Sequence, residues 1–181
     1  NQAGNNNYNA APEVTATVNA AKADAVITVS PYSVTYDGNA FTSTFTAVGV
    51  ETSPVDLTGL IDVSATTHTN AGAYIGDAWS FAGNTNYAPV NGTVDNNIDK
   101  ADAVIVVNAY DVTYDANPHT SIVSATGVSS EALAGLDLSA TTHTNAGDYT
   151  GDVWTFTDVT GNYNDDNGTV DNNIDKADAV I

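Results

Sequence analysis

The sequence predicts an all-β protein of tandem Ig-like or β-grasp-like sandwich modules. Each module is expected to have about six to seven strands and one short helical turn. Two observations support this fold class. Short β-branched and aromatic runs alternate with turns rich in Asn, Asp and Gly, and the same order of runs and turns occurs twice along the 181 residues. Hydrophobic residues make up 42% of the chain, which is enough for packed cores.

The repeat sets the expected domain organisation. The hexapeptide KADAVI begins at Lys22, Lys100 and Lys176, so its copies lie 78 and 76 residues apart, and residues 91–105 are identical to residues 167–181. We therefore read the chain as a window from a longer tandem array. Its expected segments are 1–21, the tail of a preceding repeat; 22–99, module 1; 100–175, module 2; and 176–181, the start of the next repeat. Alternatively, the module boundaries are shifted along the repeat, so that the first module runs from Asn7 to about Phe81.

The first half of each module is predicted to contain three strands. Residues 25–29 form a β-branched run. In residues 33–36, polar and apolar side chains alternate up to a turn at Asp37-Gly38. Residues 41–50 are rich in Thr, Phe and Val. In the second copy, Ser129 to Gly135 has the pattern of a capped single helical turn.

The second half of each module is predicted to form two hairpins. The first joins residues 62–69 to residues 74–81 through a turn at Asn70-Ala71-Gly72. The second is indicated by Asn91-Gly92, repeated at Asn167-Gly168. Trp79 and Phe81 lie two residues apart and so share one face of a strand, where we expect them to fill the core.

The charge of the chain limits its partners. Asp and Glu number 22 against three Lys and Arg, which gives a formal net charge of -19. Such a chain repels nucleic acid and anionic lipid, whereas it attracts cations. The longest apolar run has five residues, from Ala103 to Val107, while a membrane-spanning helix needs about 20. We expect no membrane insertion and no nucleic-acid partner.

Acidic residues are concentrated where one repeat passes into the next. Calcium prefers six to eight oxygen ligands, and carboxylates at these junctions could supply several. Alternatively, they are solvated residues that discourage edge-to-edge aggregation. The candidate ligands of a calcium ion, the only cofactor that the sequence suggests, are Asp95, Asp99, Asp102, Asp171, Asp175 and Asp178.

No catalytic constellation is evident. His68 and His143 are the same position in successive repeats, and His119 stands alone. The sequence has no nucleophile elbow and no Gly-rich phosphate loop, and it contains no cysteine. We therefore expect no enzymatic activity. Asn91 and Asn167 match the N-glycosylation pattern, although turns explain these positions more simply.

Several short motifs resemble a known family. They are Tyr36-Asp37-Gly38, the sequence Asn-Ala-Gly-x-Tyr at residues 70–74 and 145–149, the Asn-Tyr pairs, and a lysine-led junction at each repeat. Together they resemble the tandem MBG or YDG-type repeats of large bacterial surface and secreted adhesins. One departure is Tyr114-Asp115-Ala116, where alanine replaces the family glycine. The resemblance implies extracellular, mostly β modules strung along a stalk, without a catalytic residue.

The expected function is structural. Near-identical units suit a spacer that projects a binding domain from a cell surface, and its partners would be the neighbouring repeats of the same chain. One alternative is a weak multivalent array that binds carbohydrate, which predicts an aromatic or carboxylate cluster at the same place in both units. Another is a self-assembling fibre or surface-layer subunit, in which residues 1–21 add a strand to another copy.

Overall fold

The computed structural model describes residues 3–17 and 19–179, and it confirms an all-β fold. Two similar modules of six strands follow each other, and the described residues contain no α-helix. Three short 3₁₀ helices, Thr58–Leu60, Ser64–Thr66 and Ser139–Thr141, are the remaining regular elements. None of the helices in this part of the chain is long and apolar enough to cross a membrane.

The strands of the two modules correspond one to one. Those of module 1 are β1 (Val26–Ser30), β2 (Ser33–Thr35), β3 (Thr44–Val48), β4 (Ile61–Asp62), β5 (Gly72–Phe81) and β6 (Val90–Asp99). Those of module 2 are β7 (Val104–Asn108), β8 (Asp111–Thr113), β9 (Ile122–Thr126), β10 (Leu136–Asp137), β11 (Gly147–Phe156) and β12 (Asp166–Asp175).

Each module is a sandwich of one four-stranded and one two-stranded sheet. In module 1 the larger sheet has the order β2-β6-β5-β4, and β1 pairs with β3 in the smaller one. Module 2 repeats this arrangement with β8-β12-β11-β10 and β7-β9. The long central strands are antiparallel, whereas β2 and β8 lie parallel to the ends of β6 and β12. Every described strand pair lies within a single module.

The core of each module lies between its two sheets. In module 1 it is centred on Phe81 of β5, Tyr87 of the segment between β5 and β6, and Ala47 of β3, each at most 2% exposed. Ile27 of β1 packs against this cluster. Module 2 has the equivalent cluster of Ala125, Phe156 and Tyr163. Ala47 and Ala125 are small, so the two layers approach closely at these points.

The tryptophans differ from the prediction of full burial. Trp79 shares a face of β5 with Phe81, as expected, but it is only half-buried. Its indole lies across Gly92, its partner on β6, where an added Cβ would come 2.5 Å from Cζ2 of Trp79. Trp154 lies across Gly168 in the same way. Phenylalanine, rather than tryptophan, therefore occupies the centre of each core.

The predicted turn at Asn91-Gly92 is wrong, because both residues lie inside β6. Its copy, Asn167-Gly168, lies inside β12. The glycine makes room for the tryptophan of the neighbouring strand and does not supply a turn conformation. The chain reverses before these strands, and β5 ends at Phe81 while β6 begins at Val90.

Two local predictions are also corrected. Ser129 to Gly135 is not helical, since Ser130 adopts a positive φ of 65° and Ala132 bridges back to β9 at Thr126. The predicted strand at residues 62–69 ends at Asp62, whose Oδ1 accepts the Ser64 N–H at 2.9 Å. Such side-chain bonds compete with a strand ladder and favour the 3₁₀ helix seen there.

Candidate functional site

The two modules meet at a joint built around Asn162. Its Oδ1 accepts the backbone N–H of Ala71 at 2.9 Å, and its Nδ2 lies 3.4 Å from Oδ1 of Asn70. Asn162 belongs to the loop between β11 and β12, whereas Asn70 and Ala71 precede β5, so these contacts join module 2 to module 1. Asn162 is 8% exposed, and a buried amide with its polar atoms paired favours a defined joint.

Two tyrosines extend the joint on its apolar side. The rings of Tyr36, from module 1, and Tyr163, from module 2, meet edge to face with centroids 5.6 Å apart and planes at 84°. This geometry is among the favoured ones for an aromatic pair. The turn at Gly38 completes the contact, because an added Cβ there would lie 2.9 Å from Oγ of Ser129.

Local hydrogen bonds fix the loop that presents Asn162. The two carboxylate oxygens of Asp158 accept the N–H groups of Thr160 and Tyr163 at 2.9 and 3.0 Å. Gly161 supplies a positive φ of 86° just before Asn162. Side-chain acceptors and a glycine of this kind stabilise a tight turn, so Asn162 is held in place before it meets module 1.

Tyr163 is anchored inside its own module. Its hydroxyl donates to the carboxylate of Glu131 and accepts the N–H of Val128 at 3.0 Å. Burial and the bond to Glu131 raise the pKa of Tyr163 to about 12. The phenol therefore stays neutral at ordinary pH. Module 1 repeats the arrangement with Tyr87 and Glu51.

A second cluster, the His–Asp–Asn network, lies inside each module. In module 1, Nε2 of His68 lies 2.9 Å from Oδ2 of Asp77, which also accepts Nδ2 of Asn96 at 2.7 Å. The imidazole stacks on Tyr74 with centroids 3.5 Å apart. Ser43 Oγ donates to Oδ1 of Asn96 at 3.0 Å. In module 2 the network consists of His143, Asp152, Asn172, Ser121 and Tyr149.

The order of contacts in this network differs from that of a nucleophilic triad. A triad needs the serine against the imidazole and the carboxylate behind it. Here the hydroxyl of Ser43 is bonded to the amide of Asn96 instead. The network links residue 43 with β5 and β6, so it stabilises the packing of these segments within the module. No local pattern in the sequence indicates that His68 and Asp77 meet. The expectation of no enzymatic activity stays a prediction.

The third histidine lies beside this network in module 2. His119 pairs through its backbone with His143, and its Nε2 lies 3.0 Å from Oδ1 of Asp115. Module 1 has Phe41 at the corresponding position, paired with His68. The position therefore accepts an aromatic ring of either kind, which is typical of a packing role.

The six predicted calcium ligands are spread along strands and loops. Asp95 and Asp171 accept the N–H groups of Gly76 and Gly151 at the β-bulges of β5 and β11. Asp99 and Asp175 accept the neighbouring asparagine side chains, and Asp102 accepts Nδ2 of Asn164 at 2.8 Å. Asp178 is exposed. Within residues 3–17 and 19–179, no three His, Asp or Glu side chains gather in a group that could hold a metal.

An open groove of about 510 Å³ lies beside Trp79. Asp62 and Ser64 line one side, and Asn91 and Thr93 line the other. Asn91 is exposed, as is Asn167 in module 2. The groove thus combines an aromatic surface with a carboxylate, an amide and hydroxyl groups.

No family model matches the chain, and no curated protein matches it at a significant level. The likeness to adhesin repeats therefore stays a prediction from the motifs. The structure gives those motifs a shared physical role, because Tyr36, Asn70 and Asn162 all lie in the joint. Sequence reasoning identified the motifs but assigned them to turns within a module.

Proposed function

We propose that the chain is a structural stalk of extracellular spacer repeats, which projects the binding domain of a cell-surface adhesin. The joint carries this proposal. Neighbouring modules are connected by the hydrogen bonds that Asn162 accepts from Ala71 and donates to Asn70, and by the Tyr36–Tyr163 ring pair, in addition to the peptide chain. Contacts of this kind restrict bending between neighbours, as in other linear repeat proteins, where each unit contacts only the next.

The joint is tested by comparing two equivalent asparagines. Asn162→Ala removes the acceptor of the Ala71 N–H, whereas Asn86→Ala changes the corresponding exposed residue of module 1. Since the chain has no native cysteine, spin labels can be placed on exposed residues of equivalent strands by Ser80→Cys and Thr155→Cys. We expect the distance distribution between the labels to broaden in Asn162→Ala and to stay narrow in Asn86→Ala. Equal widths in all three proteins would contradict a stiff joint.

The extracellular location needs a separate test in the source cells. A protease added to intact cells should remove the repeats, and antibodies against them should label cells that have not been permeabilised. Labelling that appears only after permeabilisation would contradict a surface stalk. This outcome would leave the spin-label result on the joint unchanged.

The groove beside Trp79 favours a second function, weak multivalent binding of carbohydrate. A half-buried indole that lines the groove, with nearby Asp, Asn and Ser side chains, suits the apolar face and hydroxyl groups of a sugar ring. Titration with soluble polysaccharides should change the tryptophan fluorescence, and Trp79→Ala should reduce binding. Saccharides that leave the fluorescence unchanged would remove this candidate.

A further inference from the structure

We propose that Asn91 and Asn167 are N-glycosylation sites, at which a glycan is attached to the outer face of each module. The inference rests on the extracellular location proposed above, because N-linked glycans belong to exported proteins. It goes beyond the stalk function, since it assigns a covalent modification to one position of the repeat.

The acceptor pattern occurs twice in the chain, as Asn-Gly-Thr at residues 91–93 and 167–169. No other asparagine in the sequence is followed by Ser or Thr at this spacing. A turn was the simpler explanation of the Asn-Gly pair, but both copies lie inside strands. The packing explains only the glycine, which lies beneath the indole of the neighbouring strand. The asparagine and threonine therefore need a different explanation.

The strand places the asparagine and threonine of the pattern on its outer face. Asn91 and Thr93 are exposed, whereas Val94 and Asn96 point to the opposite face of β6 and are buried. Asn96 is bonded into the His–Asp–Asn network. Asn96 thus has a structural role inside the module, while Asn91 presents its amide to solvent.

The surroundings of Asn91 leave space for a sugar. Its partner on β5 is Ser80, and the partner of Thr93 is Ala78. Both partners are small and exposed. The same four residues line the open groove of about 510 Å³ beside Trp79. The first sugar of a glycan can therefore lie over this part of the sheet without displacing a core side chain.

The exposure of this position is compatible with neighbouring modules. Asn167 lies in the module that supplies Asn162 to the joint, whereas Asn91 lies in the module that supplies Asn70 and Ala71. Each is exposed with the other module in place. The two copies thus represent the position next to either side of a joint, and it is open in both.

The attachment point also lies beside an open edge of the larger sheet. Strand β2 pairs with residues 97–99 of β6, and β8 pairs with residues 173–175 of β12. Within residues 3–17 and 19–179, no strand pairs with β6 on that side at residues 90–96. A bulky, hydrated glycan at Asn91 would hinder pairing of this edge with another chain. The modification would therefore oppose edge-to-edge aggregation.

The reaction requires a glycosyl donor, which we expect to be a sugar carried on a lipid pyrophosphate. Nδ2 of the asparagine attacks C1 of the sugar, the bond from C1 to the pyrophosphate oxygen breaks, and the lipid pyrophosphate leaves. Nδ2 gives up one proton to a base of the transferring enzyme, so nothing is oxidised or reduced. We expect transfer before β6 pairs with β5, and the folded module then holds the product on its outer face.

Peptide mapping of the repeats isolated from the source cells tests this proposal. Cleavage before aspartate releases residues 77–94 and 166–170, which contain Asn91 and Asn167. We expect both peptides to carry sugar. Fragmentation of the first peptide should place the sugar on Asn91 and not on Asn84 or Asn86, which lack the acceptor pattern.

Variants at Thr93 separate the acceptor pattern from other causes of modification. Thr93→Ala should abolish glycosylation of residues 77–94 and leave residues 166–170 modified, so the second module is an internal control. Thr93→Ser retains a hydroxyl group and should retain the glycan. Because Thr93 is exposed, all three proteins should have similar melting temperatures when they are produced in cells that lack N-glycosylation.

Two outcomes would overturn the proposal. One is unmodified asparagine in both peptides of protein that is labelled on intact cells, which would leave the stalk function in place. The other is a gain in mass that comes only from hydrolysis of the Asn91 amide to a carboxylate, without sugar. Repeats found only inside the cells would instead contradict the surface stalk, and the peptide masses would still decide whether the asparagines are modified.

Discussion

At the scale of single residues, Ala116 shows that a backbone conformation can persist after its preferred residue is lost. The turn at Gly38 has a φ of +83°, and the equivalent Ala116 keeps a φ of +68°. The sequence predicted the turn at Asp37-Gly38, and its counterpart has alanine in place of the glycine. Oδ1 of Asp115 accepts the N–H of Asn117 at 2.9 Å, as Asp37 does for Asn39, and so holds the alanine in place.

Replacing Ala116 with glycine should therefore stabilise module 2. A left-handed backbone conformation is unfavourable for alanine, whereas glycine adopts it without strain. Removing this strain should outweigh the greater freedom of glycine in the unfolded chain, so the free energy of unfolding should rise by about 0.5 to 1 kcal/mol. Urea denaturation measures this difference. Ala73→Gly in the regular part of β5 is the matched control and should be destabilising. A loss of stability in Ala116→Gly would contradict the expected strain.

The carboxyl of Asp115 should titrate unusually low. Hydrogen bonds from the side chain and backbone of Asn117, followed by the bond to His119, lower the pKa of Asp115 to about 2. Because the folded-state value is below the ordinary 3.8, this group stabilises the fold above pH 3.8, and its contribution is lost as pH falls toward 2. Carbon-detected NMR titration should show Asn117→Ala raising the pKa more than His119→Ala. The reverse order would contradict the assignment.

At the scale of elements, β5 and β6 show how far a pattern can predict a strand. Because side chains alternate between the two faces of a strand, the sequence correctly predicted that Trp79 and Phe81 share one face of β5. It did not place Asn91-Gly92 inside β6, because Asn-Gly is also the strongest short signal of a hairpin turn. The deciding fact is non-local, since the glycine lies beneath the indole of Trp79.

Replacing two β5 side chains with alanine should distinguish a core position from a position at the edge of the core by the loss of stability. Phe81 is 1% exposed, so Phe81→Ala should cost about 3 to 5 kcal/mol. Trp79 is half-buried, so Trp79→Ala should cost less, roughly 1 to 3 kcal/mol, despite the larger side chain. Phe156→Ala and Trp154→Ala provide the same comparison in module 2. Equal losses at both positions would place the tryptophans in the core after all.

At the scale of the whole molecule, the repeat predicted two all-β modules, whereas the contacts between them required coordinates. Asn70 and Asn162 are 92 residues apart and meet across the joint. Nothing in either local sequence indicates that partner. The same limit applies to His68 and Asp77, whose contact depends on how a 3₁₀ segment leads into β5. Local patterns therefore identified the joint residues as recurrent, while the fold determined what they contact.

Salt and calcium should act on this acidic chain to different extents. Screening of the charge of -19 should raise the melting temperature in NaCl. The predicted calcium site would add a further rise at millimolar calcium in about 0.15 M NaCl, relative to chelator, because an ion bound to the native state stabilises it. Asp99→Ala should remove that extra rise. If calcium adds nothing beyond NaCl, the acidic residues act only as solvated charges.

The identity of two strand sequences has a consequence for folding. Residues 91–98 of β6 and 167–174 of β12 are the same, and β5 and β11 pair with them in matching registers. Strand β5 could thus pair with β12, and β11 with β6, and form nearly the same hydrogen bonds as in the native pairs. Synthesis from the N-terminus favours the correct choice, because module 1 can fold before β12 exists. Refolding from denaturant lacks this order, so single-molecule unfolding of refolded protein should reveal a fraction with exchanged strands.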